Sequence, residues 1–401
     1  MQSRSSNEVK ERIRNKWNQL LRSSLNNISE NMSGGTPPSV FVSSYFYPKV
    51  NIGPLISTFY GENATLLDYP EGWSGKKLED IISYKLSLIR GTRSTPVDVH
   101  MSANKYIELL QELSMANKSP DIEVVFDKKP IPKFSEMMSS LVTDSDPVQY
   151  GLVSKIKELK IPSGIKVDKR IEKVYYDKDL NANEAINTLY KDGTEVSKLI
   201  KIMSMGMLGS SKKRKIVPTK WSITAIDQII SSRLIKKLAD YSSIDEFKVH
   251  SYTHLGNYFA VILIPEHEWS FEMHEAWLDN RGHTEVETET EIHGSLNNYP
   301  KIGGSYFAAR LAISEYLDLN RKKAAAIVIR EIYPEYVIPV GVWQIREGLR
   351  KAMKNKSDVF DNLDKALDRA CMKTNLSKNE WSHNSKIIKS IKHQKRLFDY
   401  F

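Results

Sequence analysis

Apolar residues recur every three or four positions through residues 7–28, at Val9, Ile13, Trp17, Leu20, Leu21 and Leu25, which predicts a helix. The stretch SENMSGGTPPS then breaks the pattern with glycine and proline. SVFVSSYFYPKVNIGPLI is rich in β-branched and aromatic residues and predicts strand, turn at Pro48, strand. Helical spacing returns from Leu78 to Ile89 and again in NKYIELLQELSMA. DIEVVFDK predicts a strand, a basic proline-containing stretch follows it, and RIEKVYYDKD predicts a further strand. NANEAINTLYKDGTEVSKLIKIMSMG predicts one or two helices.

Beyond Pro218 a helix is expected around Ile226, Ile229, Ile230 and Leu234. A strand-rich block follows: FKVHSYTHLGNYFAVILIP, WSFEMHEAWL and the alternating TEVETETEIHG. A helix from Tyr306 to Leu317 leads to AAAIVIREIY, whose unbroken apolar run predicts a strand buried on both faces. GVWQIREGLRKAMKN and FDNLDKALDRACMK predict helices, and SKNEWSHNSKIIKSIKH a basic helix or linker. The mixture predicts an α+β protein.

Length adds a division. A chain of 401 residues exceeds the size at which one core stops growing, so two domains are expected. The composition shift at MLGSSKKRKIVPTKW sets the boundary: an N-terminal helix and linker at 1–38, one α+β domain at 39–210, a second at 211–385, and a tail at 386–401. The net charge of +9 favours anionic partners such as nucleic acid, met through a basic patch. The chain has one cysteine, Cys371, which excludes a disulfide framework and a Cys-type zinc site within one chain. Cys371 falls in an amphipathic helical stretch, where a thiol behaves as a small apolar group. No apolar run is long enough to span a membrane, and the polar N-terminus lacks the apolar core of a signal peptide. A soluble protein of the reducing cytoplasm is expected.

The final residues, HQKRLFDYF, carry apolar groups where chain ends are usually polar. In one 3₁₀ turn Leu397 and Tyr400 eclipse, Phe401 lies beside them, and the Gln394 amide can reach a groove rim. This pattern resembles the PIP box, the peptide that docks on the DNA sliding clamp, PCNA. An amphipathic terminus folded on its own domain is the competing arrangement.

Three groups of residues suggest chemistry. Lys212, Lys213, Arg214, Lys215 and Lys220 form a cation cluster suited to phosphates, and Trp221 can stack on an unpaired base or lie in the core. In NNYPKIGGSYFAAR, Gly303 and Gly304 precede a helix whose free amides, with Lys301 and Arg310, would attract an anion; otherwise the glycines make a turn and Ser305 caps the helix. The third group is polar: His254, Glu272, His274, Glu275, His293, Glu331 and Glu335 fall in or beside predicted strands. Within it His254, His293 and Glu331 are the candidate catalytic residues, able with other carboxylates to hold Mg²⁺ or Mn²⁺ for phosphodiester cleavage. No H-E-x-x-H signature is present, and strand alternation puts His274 and Glu275 on opposite faces. The alternative is that these groups are buried and paired with Arg310, Arg330 and Arg346.

Five stretches, PSVFVSSYFYPKVNIGPL, IVPTKWSITAID, LGNYFAVILIPEHEWSFEMHEAW, YPKIGGSYFAARLAISEYL and AAAIVIREIYPEYVIPVGVWQIREGLRKAM, resemble the archaeal Nre family of DNA repair proteins over most of the chain. Many members of that family end in a clamp-binding box. Some carry a Cys-rich N-terminus, which residues 1–40 here lack. The resemblance implies a DNA repair factor recruited to the clamp and touching DNA through a basic surface; it assigns no catalytic reaction. Two other readings stay open: a metal-dependent, nuclease-like enzyme with its site in residues 250–347, and a clamp adaptor that does not touch DNA.

Overall fold

The computed structural model describes residues 28–57, 62–98, 104–130, 151–162, 164–279, 282–296 and 298–393, with parts of a helix within 8–19. Gln394, Leu397, Tyr400 and Phe401 lie outside the described residues. The chain forms two compact units of mixed helix and sheet, an α+β architecture. One comprises Glu8–Ile230 with Ile338–Gly341; the other comprises Ser231–Val337 and the segment beginning at Val342. The division falls inside the helix Thr219–Leu238.

The first unit is built on a six-stranded sheet of β1 (Asn31–Gly35), β2 (Val40–Val42), β3 (Lys49–Ser57), β4 (Leu88–Pro96), β5 (Asp121–Phe126) and β6 (Leu152–Lys160), in the order β1-β5-β6-β4-β3-β2. All neighbours are antiparallel except β4 and β6. Helices Lys105–Met115 and Val196–Ser204 pack on each other and on β2. The expected strand–turn–strand around Pro48 is the β2–β3 hairpin. The expected break at SENMSGGTPPS instead contains edge strand β1, which alternates Met32 inward with its neighbours outward. The expected strand RIEKVYYDKD is the helix Lys169–Tyr176. Asp168 caps it by accepting from the Arg170 N–H at 2.9 Å, and Ile171 and Val174, three residues apart, supply its buried side.

The second unit contains β7 (Ser242–Ser243), β8 (Phe247–His254), β9 (Asn257–Ile264), β10 (Phe271–Asp279), β11 (Gly282–His283), β12 (Glu287–Glu291), β13 (Lys322–Lys323), β14 (Ala325–Ile332) and β15 (Asp358–Phe360). The main sheet runs β11-β10-β14-β9-β8-β15, with β12 also paired to β10; β7 and β13 form a separate parallel pair. Strands β9 and β14 are buried along their whole length, as their apolar runs predict. Phe259, Val261, Ala326 and Val328 face the helices Gly304–Asn320 and Trp343–Lys354. Alternate residues Tyr258, Ala260, Ile327 and Ile329 face helix Leu363–Cys371, Trp381 and Ile387. Residues 386–393, expected in the tail, are the helix Lys386–His393, with Ile387 and Ile388 buried in this second core layer. Strands β8 and β9 turn through Leu255 and Gly256, both at positive φ (51° and 69°). Glycine suits the second position because a side chain there would also meet the Tyr336 N–H group at 2.7 Å.

Candidate nucleic-acid interface and the buried polar clusters

The polar residues of the second sheet hold the fold together. Glu272 on β10 is fully buried. It receives His274 Nε2 at 2.8 Å, the Thr290 hydroxyl at 2.8 Å and the Lys386 N–H at 2.8 Å, the last at the start of helix Lys386–His393. Burial works against ionisation of this carboxyl, but the hydrogen bonds from His274, Ser385 and Thr290 outweigh it and hold Glu272 below the usual carboxylate range. Glu331, on the same face of the sheet, receives the backbone N–H groups of Asn375 at 2.9 Å and Leu376 at 3.0 Å. The two carboxylates therefore fasten the start of helix Lys386–His393 and the loop at Asn375 and Leu376 to the sheet by satisfying backbone donors.

His274 and Glu275 do lie on opposite faces: Glu275 pairs with Arg330 at 2.7 Å, and Arg330 also donates to the Asn257 amide at 2.9 Å. The proposed grouping of His254, His293 and Glu331 does not form. Strand alternation puts His254 on the face opposite Phe247 and Val249, whereas Glu331 shares the face of those two residues. His254 stacks on Tyr252, and burial pushes its imidazole below the ordinary value. His293 sits in the turn after β12, exposed and paired with Glu268. Glu335 follows β14 in a loop. Among the described residues no three His, Cys, Asp or Glu side chains are placed to hold a metal ion.

The glycine turn before helix Gly304–Asn320 is also committed. Gly303 takes positive φ (55°), and no side chain caps the helix, Ser305 included. Lys301 is exposed, but its backbone N–H already donates to Glu289 at 2.6 Å, which places a carboxylate where an anion was expected. Arg310 is buried and grips Glu291 through Nε at 2.7 Å and Nη2 at 3.0 Å, with Nη1 on Ser231 at 2.7 Å. Trp269 and Tyr306 donate to the same Glu291 carboxylate at 2.8 and 2.9 Å. Arg310 is thus withdrawn from DNA contact and belongs to the core, as the paired alternative held. Cys371 is a free thiol that burial, with Asp368 nearby, pushes up to about 12, which leaves it an inert packing group.

The run of four cations separates into two kinds. Lys212, Lys213 and Lys215 are exposed, as is Lys220. Arg214 is buried: its Nε donates to the Gly209 carbonyl at 2.8 Å, its Nη2 to the Asp177 carbonyl at 3.2 Å, and its guanidinium lies over Tyr175. It ties the loop to the body and is not free for phosphate. Trp221 is not a core residue. It stays 46% exposed and rests against Tyr47, ring centroids 4.9 Å apart. The neighbouring Tyr45 and Phe46, strand-forming aromatics by sequence, are also exposed at the β2–β3 turn. An aromatic run beside Pro48 was the signal that could have marked them as a surface feature.

Among the described residues no helix is long and apolar enough to cross a membrane. Two family models cover almost all of the chain: archaeal Nre, N-terminal, at residues 8–282, and archaeal Nre, C-terminal, at 291–400. The chain is 37% identical over 378 residues to DNA repair protein NreB of Archaeoglobus fulgidus, covering 93% of each chain. It is 36% identical to DNA repair protein NreA of the same organism, over 86% of this chain and 85% of that one. Identity to DNA repair protein NreA of Haloferax volcanii is 30%, over 82% of this chain and 79% of that one. No solved structure matches. By both family models and these full-length identities, the chain belongs to the archaeal Nre family.

Proposed function

We propose that this chain is a DNA repair factor brought to the sliding clamp, PCNA, by Gln394, Leu397, Tyr400 and Phe401, and that it meets DNA through the exposed lysines 213, 215 and 220. Relatives of the same length carry the name DNA repair protein. The observation that carries the reading is the complete Gln–Leu–Tyr–Phe spacing immediately after helix Lys386–His393. That helix is anchored by the Glu272 carboxylate and by buried Ile387 and Ile388, so the peptide is presented from a fixed point. Tethering to a ring around DNA raises the local concentration of the lysines near phosphate to about the millimolar range, so weak intrinsic affinity suffices. Arg214 and Arg310 take no part, because both are consumed by internal hydrogen bonds.

The test is calorimetric titration of purified clamp with the full chain and with a chain lacking residues 394–401. Binding should vanish in the truncated chain while its melting temperature stays within about 2 °C, as expected when a clamp-docking peptide is not part of the core. Undiminished clamp binding by the truncated chain would sink the proposal.

A further inference from the structure

Three aromatic rings of the β2–β3 turn, and Trp221 at the start of helix Thr219–Leu238, stand partly or largely outside the core. Tyr45 is 53% exposed, Phe46 80%, Tyr47 48% and Trp221 46%. Phe46 also sits at φ 66°, in the left-handed region that bulky side chains disfavour. A large ring that neither packs nor relaxes its backbone adds nothing to folding, and such residues gather where function requires them. The rings are held beside the basic loop by the backbone. The Val97 N–H donates to the Pro48 carbonyl at 3.1 Å, and the Ile216 N–H donates to the Val97 carbonyl at 2.7 Å. The Val42 N–H donates to the Thr219 hydroxyl at 3.0 Å, fixing the start of the helix that carries Lys220 and Trp221. Lys49, Lys213, Lys215 and Lys220 are all exposed on these same segments, and Asp98, β-bridged to Lys215, is half-buried.

We infer that Tyr45, Phe46, Tyr47 and Trp221 form a stacking surface for unpaired bases of single-stranded nucleic acid, with Lys49, Lys213, Lys215 and Lys220 on the phosphates. This rests on the proposal above that the basic loop meets DNA, and it adds which form of DNA is held. Every base offers a flat π-face, so rings flanked by cations bind single strands with little regard to sequence. In a duplex those faces are covered by neighbouring base pairs, and only the lysines can act. The positive rim selects a polyanion over an apolar or acidic-poor protein surface.

The experiment titrates the full chain with a labelled oligothymidylate and with a blunt hairpin duplex, using Trp221→Ala and Phe46→Asn. Each variant should weaken oligothymidylate binding about tenfold, the scale of one lost base stack, and leave the duplex affinity unchanged. Phe46→Asn should melt no lower than the parent protein, since asparagine tolerates positive φ, so lost binding is not lost folding. If both variants bind oligothymidylate as the parent does while Lys213→Ala/Lys215→Ala weakens it, the stacking surface is overturned and the basic loop stands. If the parent binds neither probe, the DNA-contacting reading falls and takes this inference with it. Equal losses on oligothymidylate and duplex would also overturn it, because the rings would then not be acting on unpaired bases.

Discussion

Glu291 and Phe46 stand at opposite ends of one scale. Glu291, in the second unit, is 1% exposed and its two oxygens receive Trp269, Tyr306 and Arg310. Phe46, in the first unit, is 80% exposed and sits in a disfavoured backbone region. The chemically richer group is the more completely satisfied, and the plain hydrocarbon ring is the one left open. Buried charges are held because an unpaired one is costly. A reactive residue type is therefore a poor guide to a site when every one of its polar atoms already has a partner inside the fold.

The contrast breaks most sharply at Glu291. Substituting Glu291→Ala leaves the Arg310 guanidinium buried without its carboxylate, which should cost about 3–5 kcal/mol. For a unit of this size that corresponds to a fall in melting temperature on the order of 10 °C, read by calorimetry. Binding of oligothymidylate by the still-folded first unit should persist below the new transition. A melting temperature within a degree or two of the parent would mean that the Glu291–Arg310 pair is not the buried anchor described above.

Glu272 gives the next largest effect and adds a pH signature. Its folded carboxyl titrates below the ordinary value, so its contribution to stability is full above the unfolded value, about 4.3, and is lost as the pH falls through the folded one. Glu272→Gln should cost about 1–3 kcal/mol at neutral pH, because the Lys386 N–H and the Thr290 hydroxyl lose a charged acceptor. The same substitution should flatten that part of the acid-induced loss of stability in urea titrations run from pH 6 to about 3. Parallel curves for parent and variant would show that Glu272 is not the group responsible.

Much of the second sheet is legible because its central strands are short, unbroken apolar runs. FAVILI and AIVI are too short for buried helices and too apolar for an exposed face, so β9 and β14 followed. The first sheet was harder. In β6 the buried residues are Leu152, Ile156 and Leu159, a helical spacing produced where the pairing with β5 shifts register near Val125. In β4 a glycine and two arginines interrupt the pattern; Gly91 is there because a side chain would strike Ile156 at 2.2 Å. Tyr175 and Tyr176 suggested a strand, yet Tyr176 is 66% exposed on a helix. Partners were illegible for a different reason. Whether Glu331 serves catalysis or caps the chain at Asn375 depends on a contact 44 residues away, which no local pattern records.

The smallest effect on stability is also the finest discrimination, because it separates neighbours in one cationic run. Arg214 donates to two carbonyls and lies over Tyr175, while Lys213 and Lys215 point their charges to solvent. Arg214→Ala should cost about 1–3 kcal/mol, since two carbonyls lose a charged donor, and should leave the salt dependence of DNA binding unchanged at temperatures where the protein is folded. Lys213→Ala/Lys215→Ala should move stability by no more than about 0.5 kcal/mol. Its signature is electrostatic: each phosphate contact removed lowers the slope of log K against log salt by about 0.9 on duplex or about 0.7 on single strands, as fewer condensed counterions are released. Titrations at several salt concentrations read both quantities from one data set. If Arg214→Ala reduces the slope and the double lysine variant does not, then the buried arginine leaves its carbonyls to meet DNA, and the division between satisfied and open groups fails at the point where it is drawn most finely.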